Sequence, residues 1–261
     1  MRETKNMTKI ILNGCMGKLG TAIRNAHDKN CEIIAGIDII GSGNGLTFPT
    51  YSDLALCDKS ADVVLDCSVV EAIPSLLEYG VKRRIPIVIC TTGLSGELMV
   101  QVREASKKVA VLRSANMSLG INLLANIVKK AAALLNESGF DIEIIEKHHN
   151  QKVDAPSGTA LVLADAVNDA FANEMEYVYD RSRVNKKRDV KEIGIHTLRG
   201  GTIAGEHSII FAGRDEVIEF KHEALSKDVF AVGALKAAHF LHGKEPGFYT
   251  MQDIMEAVAR H

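Results

Sequence analysis

The sequence lacks the features that mark several large classes of protein. Its 31 lysines and arginines are balanced by 33 acidic residues, so the net charge is −2 and no basic surface for nucleic acid or an anionic membrane is indicated. No apolar run approaches the roughly 18 residues that a membrane-spanning helix needs. The first residues, MRETKN, contain no apolar stretch, so we expect no secretory signal. Internal repeats and low-complexity segments are also absent from the sequence.

Cysteine is scarce and irregularly spaced. The five cysteines, at positions 15, 31, 57, 67 and 90, are odd in number and form no CxxC pair. Several lie inside apolar runs such as VVLDCSVV and IPIVICTT. This arrangement argues against a disulfide framework or a zinc knuckle and favours reduced thiols in the cytoplasm.

What the sequence does contain, over its first hundred-odd residues, is an alternation of strand and helix patterns. The strand patterns are KIILNG, CEIIAGIDI, ADVVLDCS, IPIVICTT and VAVLRSA, and the intervening helix patterns are KLGTAIRNAHDK, EAIPSLLEYGVKR and GELMVQVREASKK. Continuous runs rich in β-branched residues, separated by helices, predict an α/β domain with a parallel sheet that is covered on both faces.

The pattern changes after Asn116. A long amphipathic helix, a strand ending in His-His and another helix are followed by the strand patterns EIGIHTLRG, TIAGEHSIIFAG and EVIEFKHEAL. Glycines at 200–201 and the GRD at 213–215 predict hairpin-like turns, so we expect a second, α+β domain with a largely antiparallel or mixed sheet. The charged segment 180–189 is predicted to be a mobile surface loop. The last segments, 227–244 and 251–260, are predicted to be helical.

A glycine-rich turn directly follows the first strand. Gly14, Gly17 and Gly20 give a GxxGxxG pattern that opens the first helix, and Asp38 closes the second strand 18 residues later. Glycines allow close approach of the backbone to a pyrophosphate at a helix N-terminus, and an acidic residue at that distance typically binds the ribose hydroxyls. The pattern therefore predicts dinucleotide binding. The turns TTG and SANMS follow two later strands, where ligands of a parallel sheet also bind.

The stretch EKHHNQKVDAPSGTA, residues 146–160, concentrates titratable side chains. His148 and His149 end a strand and should point to opposite faces of the sheet, while Lys152 lies in the loop that follows. Asp154 or Ser157 is predicted to cap the next helix, with Pro156 in its first turn. A histidine and a lysine beside a Ser-Gly-Thr helix start could supply protons and bind a carboxylate. No third ligand stands at metal spacing, so we predict no metal site.

The motif also carries a resemblance to a known family. EIIEKHHNQKVDAPSGTA resembles the signature of the 4-hydroxy-tetrahydrodipicolinate reductase (dihydrodipicolinate reductase) family, E-[IV]-x-E-x-H, three residues, K-x-D-x-P-S-G-T-A. NGCMGKLG, ICTTG, RSANMSLGIN and GTIAGEHSIIFAG are similar to that family in order and spacing. The resemblance covers essentially the whole chain beyond the first six residues.

The resemblance implies a fold, an activity and a set of site residues. It implies a cytoplasmic homotetramer that reduces a cyclic dicarboxylate imine in diaminopimelate and lysine biosynthesis. Residues 1–118, completed by helices in 228–261, would form a Rossmann-like dinucleotide-binding domain, and 119–227 a substrate-binding and oligomerisation domain. His148 would act as the catalytic proton donor and acceptor, and Lys152 as a catalytic proton donor. The substrate would bind His149, Ser157, Gly158 and Thr159. The cofactor would bind Gly14, Cys15, Met16, Gly17, Lys18, Leu19, Asp38, Cys90, Thr91, Thr92, Ser114, Ala115, Asn116 and Met117.

Some positions depart from the family pattern. Leu19 stands where methionine is common, Cys90 replaces a usual glycine, and Asp38-Ile39 replaces the Glu-Arg of some relatives. Asp38 would repel a 2′-phosphate and no basic residue follows it, so NADH is predicted to be preferred, with NADPH as the alternative cofactor. Two other functions share the nucleotide half: an amino-acid or semialdehyde dehydrogenase, which does not need the His-His…Lys…Ser-Gly-Thr block, and a non-catalytic NAD-binding regulator, which would not need to keep His148 and Lys152.

Overall fold

The computed structural model describes residues 7–40, 45–135, 138–179, 181–183 and 185–259. The chain divides into two compact units, which comprise residues 1–119 with 227–261 and residues 120–226. Each boundary lies one residue from the predicted division. No helix in the described ranges combines the length and apolar character needed to cross a membrane.

The described residues form twelve strands and seven α-helices. The strands are β1 (Thr8–Asn13), β2 (Cys31–Ile37), β3 (Thr50–Tyr51), β4 (Val63–Asp66), β5 (Ile87–Ile89), β6 (Ala110–Arg113), β7 (Asp141–His148), β8 (Glu176–Val178), β9 (Glu192–Arg199), β10 (Gly205–Ala212), β11 (Val217–Ala224) and β12 (Gly247–Tyr249). The helices are α1 (Lys18–Asn25), α2 (Ile73–Arg83), α3 (Gly96–Ser106), α4 (Leu119–Leu135), α5 (Gly158–Asn168), α6 (Asp228–Leu241) and α7 (Met251–Ala259).

The first unit is built on the predicted parallel sheet. Its seven strands run in the order β12-β6-β5-β4-β1-β2-β3, and every pair is parallel. Alternate residues of β1 face two separate cores: Ile10 and Leu12 pack with residues of α6, while Ile11 packs with residues of α2 and α3. Because both faces of the sheet are buried, the strands are apolar throughout rather than alternating. The α/β fold predicted for this unit is confirmed.

The second unit has a mixed sheet, as expected, with the order β11-β10-β7-β9-β8. β7 pairs parallel with β9 and antiparallel with β10. One face of the sheet, including Ile142 and Ile144, packs on α4 and α5 through residues such as Leu124 and Leu163. In β7, residues at even positions are buried and those at odd positions are partly exposed, so Glu146 and His148 lie on the covered face.

The predicted turn at 213–215 is a hairpin, but the one at 200–201 is not. β10 and β11 pair antiparallel around Gly213, whose N–H donates to Glu216 O. The turn at 200–201 connects β9 to β10, but these two strands are not neighbours, because β7 lies between them. Gly200 N–H donates to His148 O, and Gly201 O accepts from Asn150 N–H, so this turn crosses the end of β7. The glycines indicated a change of direction but not which strand is the partner.

Two further features differ from what the sequence predicts, and one prediction stays open. The short strands β3, β8 and β12 have no long apolar run and were not predicted. Pro156 precedes the first turn of α5, because Ser157 is the N-cap. The segment 180–189 stays a prediction of a mobile surface loop: Asp180 and Val184 lie outside the described residues, and Arg188 donates to the Asp141 carboxylate (2.8 Å) and the Ile142 carbonyl (3.0 Å) of β7.

Candidate active site

The glycine-rich turn joins β1 to α1 in the conformation that the sequence predicts. Gly14 has a φ of +78°, and a Cβ there would lie 2.7 Å from the Cys67 carbonyl oxygen. A Cβ on Gly20 would overlap the Gly14 carbonyl, so this glycine allows α1 to pack against the turn. Gly17 caps α1 without a side-chain hydrogen bond, which leaves the start of the helix suited to an anion.

Asp38 lies beyond the carboxyl end of β2, facing the turn. Its carboxylate accepts the Met16 N–H at 2.9 Å and the Ile40 N–H at 3.2 Å. A cleft of about 380 Å³ runs beside it, and its wall includes Gly14, Gly17 and the two isoleucines that follow Asp38. Ile39 and Ile40 are strongly exposed there. No arginine or lysine is found among the described residues that line this cleft.

A second cleft of about 390 Å³ shares residues 67–69 with the first. Leu19, Cys90, Thr91 and Thr92 line it, which brings the ICTTG turn beside the start of α1. We call these two clefts together the glycine-turn site. Cys90 is buried, and this burial raises the pKa of its thiol well above its ordinary value.

A buried acid, Asp66, supports this site from the end of β4. Its carboxylate accepts hydrogen bonds from Asn13 Nδ2 (2.8 Å), Ser68 Oγ (2.5 Å) and Thr91 Oγ1 (2.7 Å). Burial raises the pKa of Asp66 above its ordinary value, against these three bonds, which lower it. Asp66 therefore ties together the carboxyl ends of β1, β4 and β5, where ligands of such sheets bind.

Several predicted cofactor positions lie elsewhere. Cys15 is fully buried in the core, and its N–H donates to Ile37 O. Met117 also packs into the core, and Asn116 accepts the Ser118 N–H on its side-chain oxygen. Lys18 and the turn residues Ser114, Ala115, Asn116 and Met117 line neither of the two clefts. The structure thus brings together Gly14, Met16, Gly17, Leu19, Asp38 and residues 90–92.

In the second unit, His148 stands at the end of β7 and bonds to Glu146. Its Nδ1 lies 2.6 Å from Glu146 Oε2, and its side chain is almost fully buried. Burial lowers the pKa of His148 below its ordinary value, although the Glu146 carboxylate opposes the shift. A neutral ring with its proton on Nδ1 would leave Nε2 as the atom that can take up or release a proton.

Glu146 is fully buried and accepts four further hydrogen bonds. Arg199 donates two, at 2.9 Å to Oε2 and 2.8 Å to Oε1, and the donors to Oε1 also include Thr197 Oγ1 and the Ser157 N–H. Burial alone would raise the pKa of Glu146, but the hydrogen bonds, led by those from Arg199 and His148, hold it below its ordinary value. Glu146 is therefore an ionised carboxylate inside the protein.

The start of α5 lies beside this pair. Ser157 caps the helix by accepting the Ala160 N–H on its Oγ, which also lies 3.0 Å from His207 Nε2. A Cβ on Gly158 would meet nothing within 4 Å, so open space adjoins the first residue of the helix. Thr159 follows within the first turn. This arrangement is suited to a carboxylate.

His207 is a third histidine of this region. Its ring meets that of His148 edge to face with centroids 5.2 Å apart. Burial, with the neighbouring His148, lowers the pKa of His207 to about 4, so the ring is neutral at physiological pH. It holds the Ser157 hydroxyl in place from β10.

The other predicted residues lie in the loop after β7. Lys152 Nζ bonds to both carboxylate oxygens of Asp154, at 2.7 and 2.8 Å, and this hydrogen bond lowers the pKa of Asp154. His149 is half-buried, one residue beyond the strand. Residues 146–149, Lys152 and 157–159 form what we call the histidine site. Within the described ranges, no group of three or more His, Cys, Asp or Glu is placed to hold a metal ion.

The sequence did not assign roles to four of these supporting residues. Asp66 could have been noticed as a charged residue ending the apolar run VVLD, and Glu146 as a charge two residues before His148. Arg199 carries no such local signal, and the family likeness of GTIAGEHSIIFAG gave His207 no role; β9 and β10 bring both residues to β7 from more than 50 residues away.

Comparison with known proteins identifies the family. Residues 8–117 match the family Dihydrodipicolinate reductase, N-terminus, and residues 120–255 match Dihydrodipicolinate reductase, C-terminus. A 4-hydroxy-tetrahydrodipicolinate reductase from Caldanaerobacter subterraneus subsp. tengcongensis is 53% identical over 96% of this chain and 99% of its own, and one from Clostridium novyi is 50% identical over the same shares. The dipicolinate-bound dihydrodipicolinate reductase from Paenisporosarcina sp. TG-14 has the same fold, with a TM-score of 0.78 and 22% identity over 94% of this chain and 97% of that one. The chain belongs to the dihydrodipicolinate reductase family of oxidoreductases.

Proposed function

We propose that the chain catalyses the reduction of the cyclic imine 4-hydroxy-tetrahydrodipicolinate to tetrahydrodipicolinate, a step of diaminopimelate and lysine biosynthesis. The 4-hydroxyl group leaves as water, and a reduced nicotinamide dinucleotide supplies hydride to that ring carbon. Relatives named for this activity at about half identity over nearly the whole chain support it. One observation carries the proposal: His148, held by Glu146, stands beside the Ser157–Thr159 helix start. An amino-acid dehydrogenase or a non-catalytic regulator would not need this arrangement.

The residues of the glycine-turn site fit a dinucleotide. The start of α1 offers unpaired backbone N–H groups to a pyrophosphate, and Gly14 and Gly17 keep side chains out of the cleft. Asp38 accepts two N–H groups and retains oxygen lone pairs for ribose hydroxyls. Leu19, Cys90, Thr91 and Thr92 would border the rest of the cofactor. The bound cofactor supplies the hydride, and the protein holds and orients it.

Lys18 and the backbone of Cys15, together with Ser114 to Met117, complete the proposed cofactor contacts. Their support is the match to family positions. The structure shows Ser114 Oγ donating to Asn116 O at 2.7 Å, so the turn after β6 has a defined conformation.

We assign substrate binding to the histidine site. Ser157, Gly158 and Thr159 at the start of α5, with His149, would bind a carboxylate, because a helix N-terminus favours an anion. Lys152 would compensate the second charge of a dicarboxylate. Its Nζ pairs with Asp154 in the structure, and because Asp154 is exposed, an anionic ligand could replace it as the partner of Lys152.

His148 and Lys152 would handle the protons of the reaction. With Nδ1 bonded to Glu146, Nε2 of His148 can donate a proton to the substrate carbon next to the one reduced and recover it from water. A lowered pKa makes the protonated ring a stronger acid, which favours donation. The ammonium of Lys152 can act as a second donor.

The experiment that tests these roles is NADH oxidation by purified protein, followed at 340 nm with the coupled synthase product as substrate. His148→Gln and Lys152→Ala are each expected to lower turnover roughly 10²–10⁴-fold and to leave NADH affinity nearly unchanged. Near-normal turnover in either variant would remove the role assigned to that residue. Absence of NADH oxidation by the unmodified protein would remove the proposed function itself.

We also propose that NADH is preferred over NADPH. Asp38 would repel a 2′-phosphate, and the described lining of its cleft holds no cation to balance one. The ratio of kcat/KM for the two cofactors tests this preference, and a strong preference for NADPH would contradict it.

The proposal extends to assembly and location. We propose a homotetramer assembled through the sheet of the second unit and a cytoplasmic site of action, both on the basis of the family. Sedimentation equilibrium of the purified chain tests the tetramer.

A further inference from the structure

Glu146 is the acid of the histidine site, and it is fully buried and bonded on both oxygens. Its five donor contacts come from four residues on three elements: His148 in β7 itself, the Ser157 N–H at the start of α5, and Thr197 and Arg199 in β9. Neither the motif nor the proposed reaction gives this carboxylate a chemical step of its own. Burying a charge costs free energy, which these donors offset. The arrangement therefore indicates a role that depends on the position of the carboxylate.

The bonds of Glu146 determine which nitrogen of His148 carries the proton. An ionised carboxylate can only accept hydrogen bonds, so Nδ1, 2.6 Å from Oε2, must be the donor. Nε2 then points away from Glu146 toward Gly205, where a Cβ would lie 3.1 Å from it. The absence of a side chain on Gly205 keeps the Nε2 edge of the ring from being crowded.

The same carboxylate also holds the anion receptor. The Ser157 N–H donates to Oε1 at 3.0 Å, while the Ser157 Oγ caps α5. The proton-transferring ring and the helix start are therefore fixed to two oxygens of one side chain, and bidentate Arg199 keeps that side chain from rotating.

We propose that Glu146 is a positioning residue that holds His148 in the Nδ1–H tautomer and fixes it relative to the start of α5, with Arg199 locking the carboxylate in place. The consequence for turnover depends on the proposed function; the tautomer does not. Because Glu146 is fully buried, its proposed action is through His148 rather than on substrate or cofactor.

The charged and titratable groups that face His148 give the sign of the pH effect. Glu146 raises its pKa, whereas Lys152 and Arg199 lower it, as does burial, which is the largest cause. His207 contacts the ring from β10 but is neutral at physiological pH. Glu146→Gln removes the carboxylate that favours the protonated ring, so the pKa of His148 is expected to fall further.

The first measurement uses the unmodified full-length protein. ¹⁵N-histidine NMR is expected to show His148 as the Nδ1–H tautomer above its pKa, with His148→Gln assigning the signal. Finding the Nε2–H tautomer would overturn the proposal without any variant of Glu146.

The second measurement uses Glu146→Gln. We expect mixed tautomers, a pH–rate limb displaced to lower pH, and kcat reduced roughly 10–100-fold, the usual loss for a residue that orients a functional histidine. NADH affinity should not change. Glu146→Asp, which keeps the charge, should recover the Nδ1–H tautomer in part. Normal tautomer and turnover in Glu146→Gln would contradict the inference.

Glu143→Gln is the matched control. Glu143 is also in β7 and also bonds a histidine (His196 Nε2, 2.7 Å) and an arginine (Arg188 Nε, 3.0 Å), but on the opposite face of the sheet. The control should leave the His148 tautomer and turnover unchanged; if it shifts the tautomer as Glu146→Gln does, the inference fails.

The His148→Gln variant separates this inference from the proposed function. If His148→Gln retains turnover, the proposed catalytic role of His148 fails, while the tautomer measured in the unmodified protein still tests the role of Glu146.

Discussion

Each unit of the molecule buries one carboxylate near the carboxyl end of a strand, and the two are stabilised in different ways. Asp66, at the end of β4, receives hydrogen bonds from neutral donors: an amide, two hydroxyls and a backbone N–H. Glu146, in β7, receives two of its bonds from the guanidinium of Arg199. Both side chains are fully buried, yet the pKa of Asp66 is raised and that of Glu146 is lowered.

The donors of the two acids differ in charge: burial is the largest cause of the raised pKa of Asp66, whereas the hydrogen bonds of Glu146, led by those from Arg199, lower its pKa against burial. Neutral donors can bond either form of Asp66, because hydroxyl groups rotate to donate or accept. A guanidinium can only donate and carries a positive charge, so Arg199 favours the ionised form of Glu146. The acid of the glycine-turn site can therefore tie strand ends in either state, whereas the acid of the histidine site must keep its charge to orient His148.

Removing the cation should have the largest effect on stability. Arg199→Met leaves the Glu146 charge buried without its main partner, and we expect it to cost about 3–5 kcal/mol of unfolding free energy. The denaturation midpoint measured in urea checks this. Lys129→Met is the control within the same unit, because the Lys129–Asp169 pair is half exposed and should contribute at most about 1 kcal/mol. Equal losses in the two variants would show that Glu146 does not depend on Arg199.

The two carboxylates also show how far a sequence can be interpreted alone. The strand–glycine turn–helix order around Gly14 and Gly20 is local, so its conformation could be predicted. The Glu146–Arg199 pair joins residues 53 positions apart, and it forms only because a parallel crossover places β9 beside β7. The incorrect hairpin at 200–201 has the same origin, since strand partners depend on the whole sheet.

Motif positions alone do not distinguish side-chain roles from backbone roles. Cys15 and Met117 match cofactor positions of the family, but their side chains pack into the core of the first unit. Lys152 matches a catalytic position, and its ammonium pairs with Asp154. The residue type and spacing were readable from the sequence; the direction of each side chain required the packing around it.

The pH dependence of stability should distinguish the two acids by the sign of its slope. The folded pKa of Glu146 is below its ordinary value of 4.5, so its contribution is present above that pH and lost as the pH falls through the folded pKa. The folded pKa of Asp66 is above its ordinary value of 3.8, so its contribution is fully present below 3.8 and lost as the pH rises toward the folded pKa.

Asp66→Asn and Glu146→Gln should therefore remove slopes of opposite sign. The stability difference between the unmodified protein and Asp66→Asn should fall with rising pH, and that for Glu146→Gln should rise, each by at most about 1.4 kcal/mol per pH unit. Urea midpoints at several values between pH 3 and pH 6 measure both. Slopes of the same sign would show that the two carboxylates do not differ in the way that their donors indicate.

The smallest effect on stability is expected at two Ser-Gly helix starts, one in each unit. Ser95 caps α3 and Ser157 caps α5 in the same way, and a Cβ on Gly96 or Gly158 would meet nothing within 4 Å. Alanine at either position should change the unfolding free energy by no more than about 1 kcal/mol, with stabilisation expected from the less flexible unfolded chain.

The space beside Gly158 is where we place a substrate carboxylate, so Gly158→Ala should weaken dipicolinate binding about tenfold or more, while Gly96→Ala should not. Calorimetric titration of dipicolinate into both variants measures the two affinities. Equal affinities would show that the open space at the start of α5 does not bind the carboxylate.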